Sequence, residues 1–454
     1  MTFAPMKHQL VSIERGKTTP ITFDCSDPGT GKTAVRIWLF AERRRNGGKC
    51  ALVLAPKSLM STTWRSDFKK FAPDMKVSIA YAVNREAAFD AAADVYVTNH
   101  DAIKWLDKQK DSFFDIFDEL IIDESTAYKH HTSLRSRALK RLISKFKYRS
   151  CLTATPNGSS ITDIWHQAFI LDNGRRLGPS FFHFRATCCE AEQIGRGREM
   201  IKWRDRPGAE EAVFGLLNDI VVRHKFEDCV DIPDHHEYTL DFDMSSTMWV
   251  AYKQLEKDSI LPFVHGQQVI TAVNAAAIAT KLLQICSGAV YDNDGKIHWI
   301  DDERYNLILD LVEERVHYHP LVFFYWIHQR NALVKEAIKR KLRYAIIDGT
   351  VSDKERDLVV QNYQNGLVDV LFAHPKSAAH GMTLTRGRSI IWTGPTYDAE
   401  LYKQGSKRQY RIGQQAKTEN IMILAKDTKE HWVYEILQGK NDRMRTLLDL
   451  FQTI

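Results

Sequence analysis

Along the first 155 residues, short apolar runs alternate with segments of helical period. The runs are Ile21 to Phe23, CALVLA (50–55), KVSIAYA (76–82), DVYVTNH (94–100), Leu120 to Ile122 and SCLTAT (150–155). Continuous apolar runs of this length read as strands buried on both faces of a parallel sheet. Between them Val35, Trp38 and Leu39, and then Trp64, Phe68 and Phe71, recur at helical spacing. Strands alternating with helices predict an α/β domain. The alternation stops near residue 172. Segments 209–223, 244–257 and 271–285 read as helices, so 172–300 is expected to be a mostly helical insert. Alternation resumes with LVFFYW (321–326), a helix over 330–341, YAIID (344–348), a helix over 354–363, VDVLFA (368–373) and SIIWTG (389–394). The expected organisation is an N-terminal lobe over 1–171, the helical region over 172–300 and a C-terminal lobe over 301–454.

In parallel sheets ligands bind at the carboxyl ends of the strands. Thr33, Ser58, Thr98, Asp123, Glu124 and Thr155 all fall at such ends. Among them lies SDPGTGKT (26–33), between a predicted strand and a predicted helix. Gly29 and Gly31 let the backbone turn its N–H groups around a phosphate. Lys32 would reach the terminal phosphates, and the Thr33 hydroxyl would hold a magnesium ion. The general pattern has glycine where this chain has Ser26. Asp123 and Glu124 close an apolar strand. One reading gives Asp123 the magnesium and Glu124 the attacking water; the other is an acidic pair that ends a strand at the surface. The second lobe has no phosphate loop. Its Arg408 and Arg411 lie three apart on a predicted helix, so both forks can face one side and neutralise charge on a γ-phosphate. Alone, the pair reads as two surface arginines. Gln9, in MKHQ, reads either as a donor to an adenine edge or as a surface amide.

Composition adds limits. A net charge of +6 over 454 residues permits a polyanionic partner without requiring one. Seven dispersed cysteines form no C-x-x-C pair, which argues against a zinc knuckle and fits a reducing compartment. His130-His131 and His235-His236 lack ligand spacing and are expected in loops. No apolar stretch approaches membrane-spanning length, so an intracellular protein, or one that acts inside a host cell, is expected, without a membrane partner. Residues 135–149 carry seven basic side chains and no acidic one. Such a run is either a phosphate-tracking face or a solvated helix face.

Taken in order, the stretches MKHQ, DPGTGKT, LVLAPKSLMSTTW, YVTNHD, IIDESTAYKH, LTATPNGSSITDIW, IVVRHKFEDCVDIPDHHEYTLDFDMS (a link around Arg223 followed by a proline and an extended segment), KLLQICSG, VFFYWIHQRNAL, IIDGTVSDKERDLVVQNYQ, SAAHGMTLTRGRSIIWTGP and QYRIGQ resemble the Swi/Snf-related branch of helicase superfamily two. The resemblance covers nearly the whole chain and is of the compact bacterial or viral type, which implies a cytoplasmic protein of a bacterium or a virus-infected host cell. It implies two RecA-like parallel-sheet lobes with a helical protrusion between them. It also implies ATP and Mg²⁺ as cofactors, and translocation on double-stranded DNA gripped by its backbone. The residues it assigns to nucleotide are Lys7, Gln9, Pro28, Gly29, Thr30, Gly31, Lys32, Thr33, Gly381 and Gln404. Asp123 joins Thr33 at the metal, Glu124 serves the water, and Arg408 and Arg411 serve as arginine fingers. Pro56, Lys57, Ser58, Thr98, Asn99, Thr350, Lys376 and Ser377 lie in segments that touch nucleic acid. Thr153 and Thr155 fall where hydrolysis is coupled to lobe movement. The chain departs from the family pattern at Ser125-Thr126, at Ala378-Ala379, at Thr383 and at Lys407. Two other readings stand beside the duplex translocase. One is a strand-separating helicase on DNA or RNA; the other is a DNA-binding regulatory module, with an unidentified protein partner and little ATPase activity of its own.

Overall fold

The computed structural model describes residues 4–157, 160–193, 201–229, 233–264, 272–292, 294–378, 382, 384–411 and 413–438. The chain forms two compact units, Met1–Asp231 and Ile232–Ile454.

The strands of the first unit are β1 (Ile21–Asp24), β2 (Cys50–Ala55), β3 (Val77–Ala80), β4 (Val95–Asn99), β5 (Phe117–Asp123), β6 (Tyr148–Leu152), β7 (Cys189–Gln193), β8 (Ile201–Asp205) and β9 (Val221–Val222). Seven of them make one parallel sheet in the order β3-β4-β2-β5-β6-β1-β9. β7 and β8 form a separate antiparallel pair. All six residues of β2 are buried, as a strand covered on both faces requires. Phe23, Leu52, Leu54, Leu120 and Ile122 build the core on one side of the sheet. Ile37, Phe40, Val53, Trp64 and Val97 build it on the other.

The second unit holds β10 (His235–Phe242), β11 (Ala289–Tyr291), β12 (Ile297–Trp299), β13 (Leu321–Phe323), β14 (Tyr344–Ile347), β15 (Val370–Ala373), β16 (Ser389–Trp392) and β17 (Thr418–Ala425). Its parallel sheet runs β10-β17-β16-β13-β15-β14, and β11 and β12 form a hairpin. The fold is therefore α/β with two parallel-sheet lobes, as the alternating pattern predicts.

The region between the lobes differs from expectation. Residues 172–300 are not a helical body of their own but are shared between the two units. The predicted helix over 209–223 ends at Leu217, and the chain then turns into β9 at the edge of the first sheet. β10 does the same for the second sheet, along its full length against β17. Open sheet edges gain hydrogen-bonded partners this way. The long helices Ser246–Val264 and Ala272–Cys286 are present and belong to the second unit. No helix among the described residues is long and apolar enough to cross a membrane.

Candidate active site

β1 delivers the chain into the phosphate loop, and the helix Lys32–Arg45 begins where the loop ends. Gly29 and Gly31 both have positive φ, 88° and 81°, a backbone state that costs glycine nothing. A Cβ at Gly31 would also lie 2.3 Å from Gln9 Nε2 and would displace that amide from the loop. Lys32 Nζ donates to Ser26 O at 2.5 Å and to Asp27 O at 3.1 Å, so the ammonium covers the loop's own carbonyls. Beneath the loop the buried Asp24 carboxylate accepts from Ser26 N and lies 3.9 Å from the buried Arg36 guanidinium.

The helix Lys7–Thr18 packs on this loop. Gln9 is buried, and its Nε2 donates to Thr30 O at 3.2 Å; His8 Nε2 lies 2.8 Å from the same carbonyl. Gln9 is therefore part of the site and not a surface amide, whereas Lys7 is exposed. On the other side the chain returns after β9. His224 N–H donates to Ser26 Oγ at 3.1 Å, and Phe226 N–H donates to Asp27 Oδ2 at 3.1 Å. His224 Nε2 also lies 2.8 Å from Ser12 Oγ. The serine that replaces the usual glycine thus acts as a clasp, because its hydroxyl holds the strap 221–226 against the loop.

Asp123 ends β5, and β6 alone separates that strand from β1. One carboxylate oxygen, Oδ2, accepts from Trp64 Nε1 at 2.9 Å; both side chains are buried. Burial raises the proton affinity of Asp123, while the Trp64 N–H and the Lys32 charge pull it back. A buried anionic oxygen beside a phosphate loop is a suitable donor for a small divalent cation, with Thr33 as the second oxygen donor. Glu124 follows in a left-handed conformation (φ 52°, ψ 59°), strain of a kind that gathers at functional sites. Trp64 is aimed by a single π-helical turn, Met60–Arg65.

The departure at Ser125 has a structural role. Its Oγ donates to Gln167 Oε1 at 2.6 Å, and Gln167 Nε2 donates to Pro156 O at 2.8 Å. This buried bridge joins the acidic pair to the LTATP segment after β6. Thr153, also buried, accepts from Thr155 N with its hydroxyl.

Of the residues expected to touch nucleic acid, Pro56, Lys57 and Ser58 follow β2, and Asn99 ends β4. Thr98 does not qualify: it is fully buried and its Oγ1 donates to Ala80 O at 2.8 Å, tying β4 to β3. In the second unit Thr350 follows β14, and Lys376 and Ser377 follow β15. These are adjacent strands, so the three residues share one edge of the sheet. Gly381 lies outside the described residues. Three of the seven basic side chains over 135–149 pair with carboxylates, as Arg135–Asp101, Arg141–Asp107 and Lys145–Asp111.

Arg408 and Arg411 are not on a helix, since the helix Ala399–Ser406 ends before them. They converge all the same. Arg408 Nη1 donates to Met382 O at 3.2 Å, and Arg411 Nη1 donates to the same oxygen at 2.9 Å. Gln404, one turn back on the helix, is buried, and its carbonyl accepts from Arg408 Nε.

Residues 21–288, more than half of the chain, match the SNF2-related domain, and residues 303–413 match the helicase conserved C-terminal domain. The chain belongs to the SNF2-related family. It is accordingly a helicase-type enzyme that uses ATP and depends on nucleic acid. Among its relatives is "Putative protein p41" of Acyrthosiphon pisum secondary endosymbiont phage 1, 28% identical over 99% of this chain and 98% of the relative. Another is the "Putative ATP-dependent helicase/translocase YwqA" of Bacillus subtilis, 23% identical over 91% of this chain and 45% of that protein. A third is the mouse "DNA annealing helicase and endonuclease ZRANB3", 23% identical over 86% of this chain and 36% of that protein. This SNF2-related chain thus spans nearly all of the phage relative and less than half of the other two.

Sequence reasoning passed over Trp64, His8, Asp27 and His224. Trp64 sits at the close of LVLAPKSLMSTTW, where its helical spacing reads as core packing. Asp27 and His224 are 197 residues apart; both lie in stretches that carry the resemblance, but nothing in the sequence joins one to the other.

Proposed function

We propose that the chain is a DNA-dependent ATPase that moves along double-stranded DNA, driven by closure of its two lobes on ATP. The observation that carries this reading is the placement of the phosphate loop and of Asp123-Glu124 at the carboxyl ends of β1 and β5, on one edge of one sheet. Phosphoryl transfer to water needs both parts.

In this reading the loop amides and Lys32 hold the β- and γ-phosphates of ATP, and Thr33 and Asp123 hold Mg²⁺. Bound Mg²⁺ neutralises charge on the phosphates. Glu124 accepts a proton from water as the water oxygen bonds to the γ-phosphorus and the bond to the ADP oxygen breaks. Arg408 and Arg411 reach the γ-phosphate as the lobes close, and such fingers are typically worth ~10³ to 10⁵ in rate. The Ser125–Gln167–Pro156 bridge carries the change at Glu124 into the segment after β6. Contacts at Ser58, Asn99, Thr350, Lys376 and Ser377 are to the phosphodiester backbone and therefore blind to sequence. The DNA in a relative's name supports this choice of polymer.

The test is ATP turnover of the purified chain alone and with duplex DNA, single-stranded DNA and RNA, beside Glu124→Gln. Stimulation by duplex DNA that is absent in the variant and weakened by salt is the expected result. Preference for single strands or RNA would replace this reading with the strand-separating one. No turnover with any polymer would leave a binding module.

A further inference from the structure

The second unit contains a pocket of about 450 Å³ whose lining includes His317, His319, Thr385, Arg386, Arg388 and Gln414. The two histidines precede β13, the two arginines precede β16, and Gln414 precedes β17. Those three strands are neighbours in the sheet. The pocket is therefore formed by loops entering their amino ends, the edge opposite to Thr350, Lys376 and Ser377.

Its walls are preformed. The Gln414 side chain is buried; its Nε2 lies 2.9 Å from Gly387 O and 3.1 Å from Thr385 O, and its Oε1 accepts from Gln415 N and Ala416 N, each at 3.0 Å. One amide thus staples the loop before β16 to the loop before β17. Arg386 donates its backbone N–H to Gln364 Oε1 at 3.0 Å, and its guanidinium lies over Gly366, where a Cβ would come within 2.7 Å of Nη2. Arg388 donates its backbone N–H to Tyr318 O at 2.8 Å, and its guanidinium lies 5.9 Å from the Tyr318 ring centre. His319 Nδ1 is engaged by Val368 O at 3.0 Å.

Charge sets this pocket apart. Arg304, Arg315, Arg330, Arg340 and Arg343 of the same unit each pair with a carboxylate: Glu430, Glu419, Asp348, Asp310 and Asp369. Among the described residues no carboxylate pairs with Arg386 or Arg388, and none lines the pocket. Two exposed guanidinium groups, positioned by glycine and aromatic contacts and flanked by two imidazoles, form a receptor for a tetrahedral oxyanion.

We infer that this pocket binds a phosphate group at the amino edge of the second sheet, as a site separate from the phosphate loop. Two sources share that chemistry: the phosphodiester backbone of a nucleic acid and free pyrophosphate. Only the first rests on the proposed function.

The test compares the full chain with Arg386→Gln/Arg388→Gln, both saturated with ADP to fill the phosphate loop. Calorimetric titration with pyrophosphate is expected to show binding that weakens at least roughly tenfold in the variant. Duplex-DNA affinity is measured over a salt series. A slope of log affinity against log salt shallower by about 1 marks one lost backbone contact. An unchanged slope with lost pyrophosphate binding assigns the pocket to the free anion. If neither changes, in a variant with unaltered melting temperature and basal ATP turnover, the inference is overturned. Should the double variant melt early, each single variant is read in the same way. A wild-type chain that shows no DNA-stimulated turnover counts against the proposed function, while the pyrophosphate arm still decides the pocket.

Discussion

Trp64→Phe isolates one hydrogen bond. The indole is fully buried, and its Nε1–H points at Asp123 Oδ2 from 2.9 Å. Phenylalanine keeps a ring in the same space beside Phe68, so the packing loss stays well below the ~3–5 kcal/mol of a tryptophan-to-alanine change. A hydrogen bond to a charged acceptor is worth about 1.5–3 kcal/mol. At ~1.36 kcal/mol per factor of ten, its loss converts to roughly ten- to hundred-fold in whatever the orientation of Asp123 controls. If that carboxylate holds Mg²⁺, the Mg²⁺ concentration for half-maximal ATP turnover rises by this factor, while the apparent KM for DNA is unchanged. A Mg²⁺ titration of steady-state turnover reads the first quantity and a DNA titration the second. A melting curve shows how much of any effect is plain instability. A variant with wild-type Mg²⁺ dependence and turnover would refute the positioning role of Trp64. Equal losses at every Mg²⁺ concentration would reduce it to core packing.

Ser26→Gly, which restores the commoner loop residue, should destabilise the first unit by about 1–3 kcal/mol, because the half-buried His224 N–H loses its acceptor; urea melts that match the wild type would refute the strap. Burial pulls His166 and His328 down to about 4 from an ordinary value near 6.5, so the unfolded chain binds protons that the folded chain does not. Stability is then intact above about pH 6.5 and falls towards pH 4, by about 2 kcal/mol per histidine at pH 5. Urea midpoints at pH 7 and pH 5 measure this, His166→Gln should lessen the fall, and equal midpoints for the wild type would contradict it. Arg408→Ala and Arg411→Ala should each lower kcat by ~10³ with nucleotide affinity changed far less; losses of only a few-fold would deny them the role of fingers.

The parts of the fold that were legible in the sequence share one physical cause. A strand buried on both faces is an uninterrupted apolar run, so CALVLA and Leu120 to Ile122 declare themselves. The phosphate loop and the acidic pair are equally plain, because their chemistry depends on residues adjacent in the chain. Less was visible where a partner is remote. β9 is two residues long and has no periodicity of its own, so a helix was expected through it. β10 is an edge strand whose residues are mostly exposed or half-buried, and nothing in HHEYTLDF resembles a core run. Thr98 stands at a strand end where a ligand contact is expected, yet only the neighbouring β3 reveals that its hydroxyl is already taken. Arg408 and Arg411 converge through a shared carbonyl, and not through the helical spacing that the sequence suggests.

The position of β1 bears on how the protein is made. β1 is made before every other strand of its sheet, but its two neighbours there are β6 and β9, which lie about 130 and 200 residues further along. The edge β3-β4-β2-β5 can form from chain already synthesised, whereas β1 must wait. Pairings of such long range carry a large loop-closure cost and form late. The phosphate loop that hangs from β1, with the strap that pins it, is thus completed only when the first unit is nearly finished. A nascent chain has no formed pocket for ATP until the sheet that must respond to ATP is in place.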